Sequence, residues 1–325
     1  MTSSPGRFQS ILVPLDGSPL AEQAIPIALA IAERARSKVK LVLVHHPLLM
    51  EPGPAYIKVE LAMQKADREY LRSVTARLRE RLGRALSSAV LPGPIVQTLA
   101  KYIRELSTDL VVMTTHGRGG LRRAWLGSVT DHLIRTSEVP ILVVRPGETD
   151  AAESFAGLTG ILVPLDGSPL AEAVLEPAVA LARLWDGEVT LVQVVHPVLL
   201  DPEPVLPFPA GYSDKATAIQ RESAQDYIRD VAERLRESGV KASGVAVIGG
   251  GIADTLINLA RPERVSLLAV ATHGRGGLKR LVLGSVADKL VRGSNVPMLV
   301  VRPTGRHATR KSVENRVPVS ARSSS

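Results

Sequence analysis

The same twelve letters, ILVPLDGSPLAE, occur at residues 11–22 and again 150 residues further on at 161–172. A second shared block, THGRGGL, stands at 115–121 and 272–278, now 157 residues apart. LGSV (126–129 and 283–286) and VRP (144–146 and 301–303) keep that second spacing. The chain is therefore a duplicated unit, and any fold proposed for it must be one that half of its 325 residues can build. Each unit is domain-sized, which excludes a solenoid of short repeats. The change of spacing implies seven extra residues in the second copy, best accommodated at 202–213 (PEPVLPFPAGYS). The reading is domain 1 over 1–146, a small polar linker at 147–156 (GETDAAESFA), domain 2 over 157–303 and a basic, disordered tail over 304–325.

Composition narrows the function classes. Apolar residues make up 45% and charged ones 22%, an ordinary globular balance. There is no cysteine, which excludes disulfides, thiolate catalysis, iron–sulfur clusters and cysteine-ligated zinc. The net charge of +8 invites a nucleic-acid reading, yet Arg306, Arg310, Lys311, Arg316 and Arg322 against Glu314 place +4 of it in the tail. Aromatics are 3%, poor material for stacking bases, so nucleic acid is not the expected partner. The amino terminus shows no signal pattern, and the longest apolar stretch, near 24–32, is interrupted by Pro26 and spans half a membrane. A cytoplasmic address and no membrane partner are expected.

Within each copy, short β-rich apolar runs alternate with longer helical stretches. Strands are predicted at 10–15, 40–45, 110–114 and 141–145, and at 160–165, 189–195, 267–271 and 298–302. A third strand per copy falls near 85–91 and 241–248. Helices should open where Ser18 and Ser168 precede Pro19 and Pro169, a serine cap followed by proline in the first turn. Pro26 and Pro177 should kink or restart those helices. Residues 67–86 and 222–238 read as long amphipathic helices. Buried strands alternating with helices imply an α/β fold: two tandem open doubly wound domains, each with a five-stranded parallel sheet.

In such sheets ligands bind beyond the carboxyl ends of the strands, where strand order reverses. Three repeated features converge there: Pro14-Leu15-Asp16 (Pro164-Leu165-Asp166), the second strand end at Val44 to His46 (Val194 to His196), and residues 114–128 (271–285). In the last segment Gly117, Gly119 and Gly120 follow a strand, Gly127-Ser128 opens a helix, and Arg118, Arg122 and Arg123 add charge; Arg275, Lys279 and Arg280 do so in the second copy. Glycines admit backbone N–H groups to phosphate oxygens, and a helix N-terminus adds unpaired donors. A mobile, solvating loop would carry the same composition, but recurrence in both copies favours phosphate. No P-loop signature, complete dinucleotide fingerprint or nucleophile elbow is present: Arg122 stands where a dinucleotide loop needs its third glycine.

These residues resemble the universal stress protein family over about residues 10–303. Nucleotide-binding members carry G-x2-G-x9-G-[ST] after the fourth strand; Gly117-x9-Gly127-Ser128 and Gly274-x9-Gly284-Ser285 match its latter part, while Thr114 and Ala271 replace its first glycine. The resemblance implies ATP or another adenine nucleotide as ligand, with Mg²⁺ bridging the phosphates and at most slow hydrolysis. It implies Asp16 and Asp166 on the adenosine, and Val44 and Val194 along the adenine pocket. Gly117, Gly127, Ser128, Val129 and Thr130 would contact ribose and phosphates, as would Gly274, Gly284, Ser285, Val286 and Ala287, flanked by Met113 and Val270. It further implies an intramolecular pseudo-dimer whose fifth strands meet, with a homodimer of the whole chain left open. Two alternatives stand beside this reading: an adenine-nucleotide hydrolase or transferase, and a protein-interaction module with a closed site.

Other residues have simpler explanations. His45 and His46 are adjacent on a strand and face opposite sides, so they do not readily share a metal ion; His46 and His196 close strand ends. His116 and His273 read as structural imidazoles within the glycine segment in preference to general bases, and Asp131 and Asp288 suit the first turn of a helix. No nucleophile–base pair and no protein metal site is evident.

Overall fold

A computed structural model of the chain describes residues 8–48, 53–115, 126–146, 157–198, 213–260, 265–272 and 283–303. The glycine and basic residues at 116–125 and 273–282, the linker at 147–156 and the tail beyond 303 lie outside the described residues, as does all but Ser213 of the expected insertion.

The first half runs β1 (Ser10–Leu15), α1 (Pro19–Glu22), α2 (Ile25–Ala35), β2 (Lys38–His45), α3 (Pro54–Leu82), β3 (Leu86–Pro92), α4 (Ile95–Glu105), β4 (Leu110–Thr114), α5 (Ser128–Thr136) and β5 (Ile141–Val144). The second half repeats it as β6 (Gly160–Pro164), α6 (Pro169–Glu172), α7 (Leu175–Trp185), β7 (Glu188–Val195), α8 (Asp214–Glu237), β8 (Ala242–Ile248), α9 (Ile252–Leu259), β9 (Leu267–Ala271), α10 (Ser285–Gly293) and β10 (Met298–Val301). All ten predicted strands are present, with every end within two residues of its predicted place.

The helix boundaries follow local chemistry. Ser18 and Ser168 accept hydrogen bonds from the amides of Ala21 and Ala171, as serine caps should. Pro26 has no N–H for the Glu22 carbonyl and Pro177 none for that of Ala173, so each helix stops and restarts as expected. The long helices differ from expectation. α3 begins at Pro54 rather than 67, because Gly53-Pro54 supplies proline in the first turn. It ends at Leu82, before 86, where Gly83 takes a φ of +53°. α8 likewise starts at Asp214 instead of 222, capped by Ser213, and ends at Glu237.

Within each half the strands are parallel, in the order β3-β2-β1-β4-β5 and its counterpart β8-β7-β6-β9-β10. The two sheets are not separate. β5 and β10 pair antiparallel with Leu142 opposite Leu299, which fuses both halves into one ten-stranded sheet about a pseudo-dyad at that pair. The fifth strands thus cover one another's edges, as the sequence led us to expect. Helices α2, α3, α7 and α8 pack on one face, burying Ile11, Val13, Leu41, Ile161 and Leu191. Helices α4, α5, α9 and α10 cover the other, over Leu12, Val42, Leu142's neighbours Ile141 and Val143, and Leu268. Each core runs unbroken across both halves. Arg34 of α2 places its guanidinium 4.5 Å from the Trp185 ring centroid of α7, a cation–π contact between the halves. At the outer edge, the Gln225 side chain accepts from the Ala246 amide and donates to the Gly244 carbonyl, occupying backbone groups of β8.

Candidate functional site

In each half the chain leaves β1 for β2 and β3 on one side and returns to β4 on the other. The order therefore reverses between β1 and β4, and again between β6 and β9, and a crevice opens beyond the carboxyl ends of those strands. In the second half this crevice is a cavity of about 1230 Å³. Its walls contain every described residue expected from the sequence: Pro164, Leu165, Asp166, Val194, Val270, Ala271, Gly284, Ser285, Val286 and Ala287. Gly274 lies outside the described residues, as does Gly117 in the first half. The first-half set occupies corresponding places: Pro14, Leu15 and Asp16 at the end of β1, Val44 on β2, Met113 and Thr114 closing β4, and Gly127, Ser128, Val129 and Thr130 at the start of α5.

The two aspartates hold a turn. The amide and hydroxyl of Ser18 donate to Asp16 Oδ1 at 2.9 and 2.7 Å, and Ser168 repeats this on Asp166 at 2.9 and 2.6 Å. Gly17 and Gly167 between them take φ of +83° and +81°, a conformation glycine adopts without strain. The same serine hydroxyls then cap α1 and α6, so each aspartate sets the chain's exit from the sheet.

At the opposite wall, glycine is required by close approach. The Gly284 amide donates to the Thr272 carbonyl at 2.9 Å, and a β-carbon at Gly284 would itself lie 2.9 Å from that oxygen. Gly127 makes the equivalent bond to Thr115 at 2.7 Å. These contacts draw the helix N-termini back to the strand ends, where Ser128 and Ser285 are exposed. Thr130 is buried and its hydroxyl donates to the Thr114 carbonyl at 2.9 Å; Ala287 fills that place in the second half without a hydroxyl. Asp131 and Asp288 sit in the first turns of α5 and α10 and pair with Arg135 and Arg292 at 2.8 and 2.9 Å.

Sequence reasoning missed the wall that α8 contributes. Ile219, Gln220, Ser223 and Tyr227 line the crevice, and Tyr227 donates to Glu172 at 3.1 Å. It also missed the partners of His45. That imidazole is buried, with Nδ1 2.7 Å from Asp67 Oδ2 and Nε2 2.7 Å from Glu60 Oε1. Both ring nitrogens are engaged by separate carboxylates, so the histidine bridges strand to helix. His46 and His196 follow their strands and are exposed, the latter on the crevice rim. Among the described residues no cluster of three His, Cys, Asp or Glu side chains has the geometry to hold a metal, and no helix is long and apolar enough to cross a membrane.

The comparisons with known proteins agree with this architecture. The family model described as the universal stress protein family matches twice, at residues 7–145 and 159–302. A universal stress protein of Mycobacterium tuberculosis is 26% identical over 314 residues, covering 92% of this chain and 99% of its own. One from Methanocaldococcus jannaschii is 29% identical over 143 residues, 44% of this chain and 81% of that protein. In fold, the chain is similar to the crystal structure of a universal stress protein from Archaeoglobus fulgidus, with a TM-score of 0.66 at 17% identity over 92% of this chain and 99% of that one.

Proposed function

The chain belongs to the universal stress protein family as a tandem, two-unit member, and on that premise we propose that it is an adenine-nucleotide-binding regulatory module of the cytoplasmic stress response. The observation that carries the proposal is the convergence at the second crevice. Ten residues from four separate stretches of sequence, among them Asp166, Val194, Gly284 and Ser285, line one cavity at the strand-order reversal. Its size exceeds the roughly 300–1,000 Å³ typical of small-molecule sites, so a nucleotide has room. Apolar walls at Val194 and Val270 suit a base, Asp166 suits hydroxyl or amino donors, and the exposed start of α10 suits a phosphate.

On this reading Mg²⁺ enters with the phosphates that it bridges. The residues at hand then bind and orient the nucleotide, with at most slow hydrolysis. Mass spectrometry of small molecules released from gently purified protein tests the reading, followed by calorimetry with ATP, ADP and AMP in the presence of Mg²⁺. Saturable binding of an adenine nucleotide is expected. Failure of all three to bind at millimolar concentration would overturn it in favour of a protein-interaction module, and rapid saturable turnover would favour a hydrolase or transferase.

A further inference from the structure

The two halves brace the end of their second strand against the following long helix in chemically different ways. In the second half the Val198 amide donates to Thr217 Oγ1 at 3.0 Å, while Val195 packs with Ala224 and Ala246. In the first half the Leu48 amide donates to Glu60 Oε2 at 3.4 Å, and His45 is gripped by Glu60 and Asp67. The positions correspond one to one. Leu48 and Val198, like His45 and Val195, are 150 residues apart; Glu60 and Thr217, like Asp67 and Ala224, are 157 apart, the two spacings of the duplication. Gly93 and Gly249 donate to the carbonyls of His45 and Val195, which fixes the strand register independently. A brace without ionisable groups in one half is thus an ionisable one in the other.

By the duplication the brace corresponds to part of a crevice wall, because Val195 and Ala224, the counterparts of His45 and Asp67, both line the second cavity. We propose that Glu60, His45 and Asp67 form a proton-dependent latch that holds the start of α3 against β2, so that pH gates the first crevice and leaves the second untouched. The nucleotide part of this proposal rests on the reading of the crevices given above; the latch itself does not.

The chemistry is a count of protons. Each imidazole nitrogen faces a carboxylate oxygen, an acceptor, so both bonds need a proton between them. The imidazolium supplies two. The neutral ring supplies one and leaves a nitrogen lone pair against a carboxylate in a buried place. Among the described residues, other groups nearby do not supply the missing proton. β1 and β3, the strands flanking β2, carry no ionisable side chain. The loop after β2 contributes the Leu48 amide and the exposed His46. α3 adds Gln64, which donates to Glu60, and Arg68, which donates to Gln64. One turn on stands Tyr70, whose charged neighbours are Glu22, Asp16 and Arg77. Burial alone would lower the proton affinity of His45; its bonds to Asp67 and Glu60 outweigh that and raise its pKa above 6.5. The bonds are therefore complete below about pH 6.5 and one is lost as pH rises through the raised value.

Hydrogen exchange of the full chain at about pH 6 and about pH 9, corrected for intrinsic rates, tests the latch, with α8 as an internal control. Protection of residues 54–67 is expected to fall about tenfold across that range, while residues 214–224 keep theirs. Equal behaviour of the two helices would overturn the latch without any variant being made. The variant His45→Val with Glu60→Thr and Asp67→Ala copies the second half's own brace and should abolish the difference; persistence of the pH effect in it would also overturn the proposal. ATP affinity at both pH values, read in Asp166→Asn for the first crevice and Asp16→Asn for the second, tests the gating. A several-fold loss at high pH confined to the first crevice is expected. The same pH dependence in both crevices would refute gating even where exchange differs. If ATP binds neither crevice at either pH, the nucleotide reading fails and the exchange result decides the latch.

Discussion

Arg145, the residue after β5, donates from Nη1 to the carbonyl oxygen of Ser294 in the other half, at 3.2 Å. Ser294 is the C-cap of α10, so a cation from one half satisfies the carbonyl end of a helix in the other. The duplication returns the favour: Arg302, after β10, donates to Thr136, the last residue of α5, at 3.1 Å. The VRP motif at the end of each copy is therefore an instruction for joining the halves, and the short β5–β10 ladder is clamped on both sides. Replacing both arginines by alanine should cost about 1 kcal/mol each, the net value of an ordinary hydrogen bond, because both side chains are partly solvated. Because the loss falls on the junction, urea unfolding followed by fluorescence and circular dichroism should change from one transition to two. A single unshifted transition would show that the β5–β10 ladder and the shared core suffice without the clamps.

Asp16 and Asp166 invite a prediction that separates their turn from their charge. Alanine at both positions removes the acceptor for two Ser18 or Ser168 donors, and should destabilise the nucleotide-free protein by about 1 kcal/mol per turn. Asparagine keeps an oxygen for the turn but loses the negative charge. The double asparagine variant should therefore melt close to the parent while binding ATP about tenfold more weakly or worse, a difference of roughly 1.4 kcal/mol. Parent-like affinity in that variant would leave the aspartates as turn residues only.

Much of this was legible from the residues because the signals were local or repeated. Ser18-Pro19 and Ser168-Pro169 mark a helix start in both copies, and uninterrupted apolar runs such as Leu110–Met113 are strands buried on both faces. The second crevice could be assembled on paper because a parallel sheet sends all strand ends to one edge. What escaped depended on partners distant in sequence. The first turns of α3 look unpromising, since Ile57, Val59 and Leu61 are exposed and trace no buried stripe. With that helix misplaced, Glu60 had no reason to meet His45. The fusion of two sheets into one was half visible: the need to cover the fifth strands was read correctly, but nothing local states that their pairing is antiparallel and continuous.

Gly284 offers a test of the crevice that does not involve charge. Its φ of −58° is ordinary, so alanine brings no backbone strain; the obstacle is the Thr272 carbonyl 2.9 Å from the new β-carbon. A backbone oxygen cannot rotate away as a side chain can, so α10 must shift by a few tenths of an ångström. Gly284→Ala should cost about 1–2 kcal/mol as a small overpacking. It should also weaken ATP binding in the second crevice while the first, read in the Asp166→Asn background, is unchanged. Calorimetry that finds both crevices unaffected would mean that the start of α10 takes no part in holding the ligand.

The acid side of the first-half brace makes a separate prediction, carried by Glu60 rather than His45. Bonds from His45 and Gln64, with the Leu48 amide, hold the Glu60 carboxyl below its ordinary value of 4.5. A carboxyl with a lowered folded value stabilises the fold above its unfolded value, and that contribution is lost as pH falls through the folded one. Urea midpoints measured from neutral pH down through pH 4.5 should therefore fall more steeply in the parent than in Glu60→Gln, which carries no titrating group there. The substitution should lower the midpoint at neutral pH and converge with the parent in acid. Curves that stay parallel over the whole range would show that the His45–Glu60 bond contributes nothing to the acid stability of the first half.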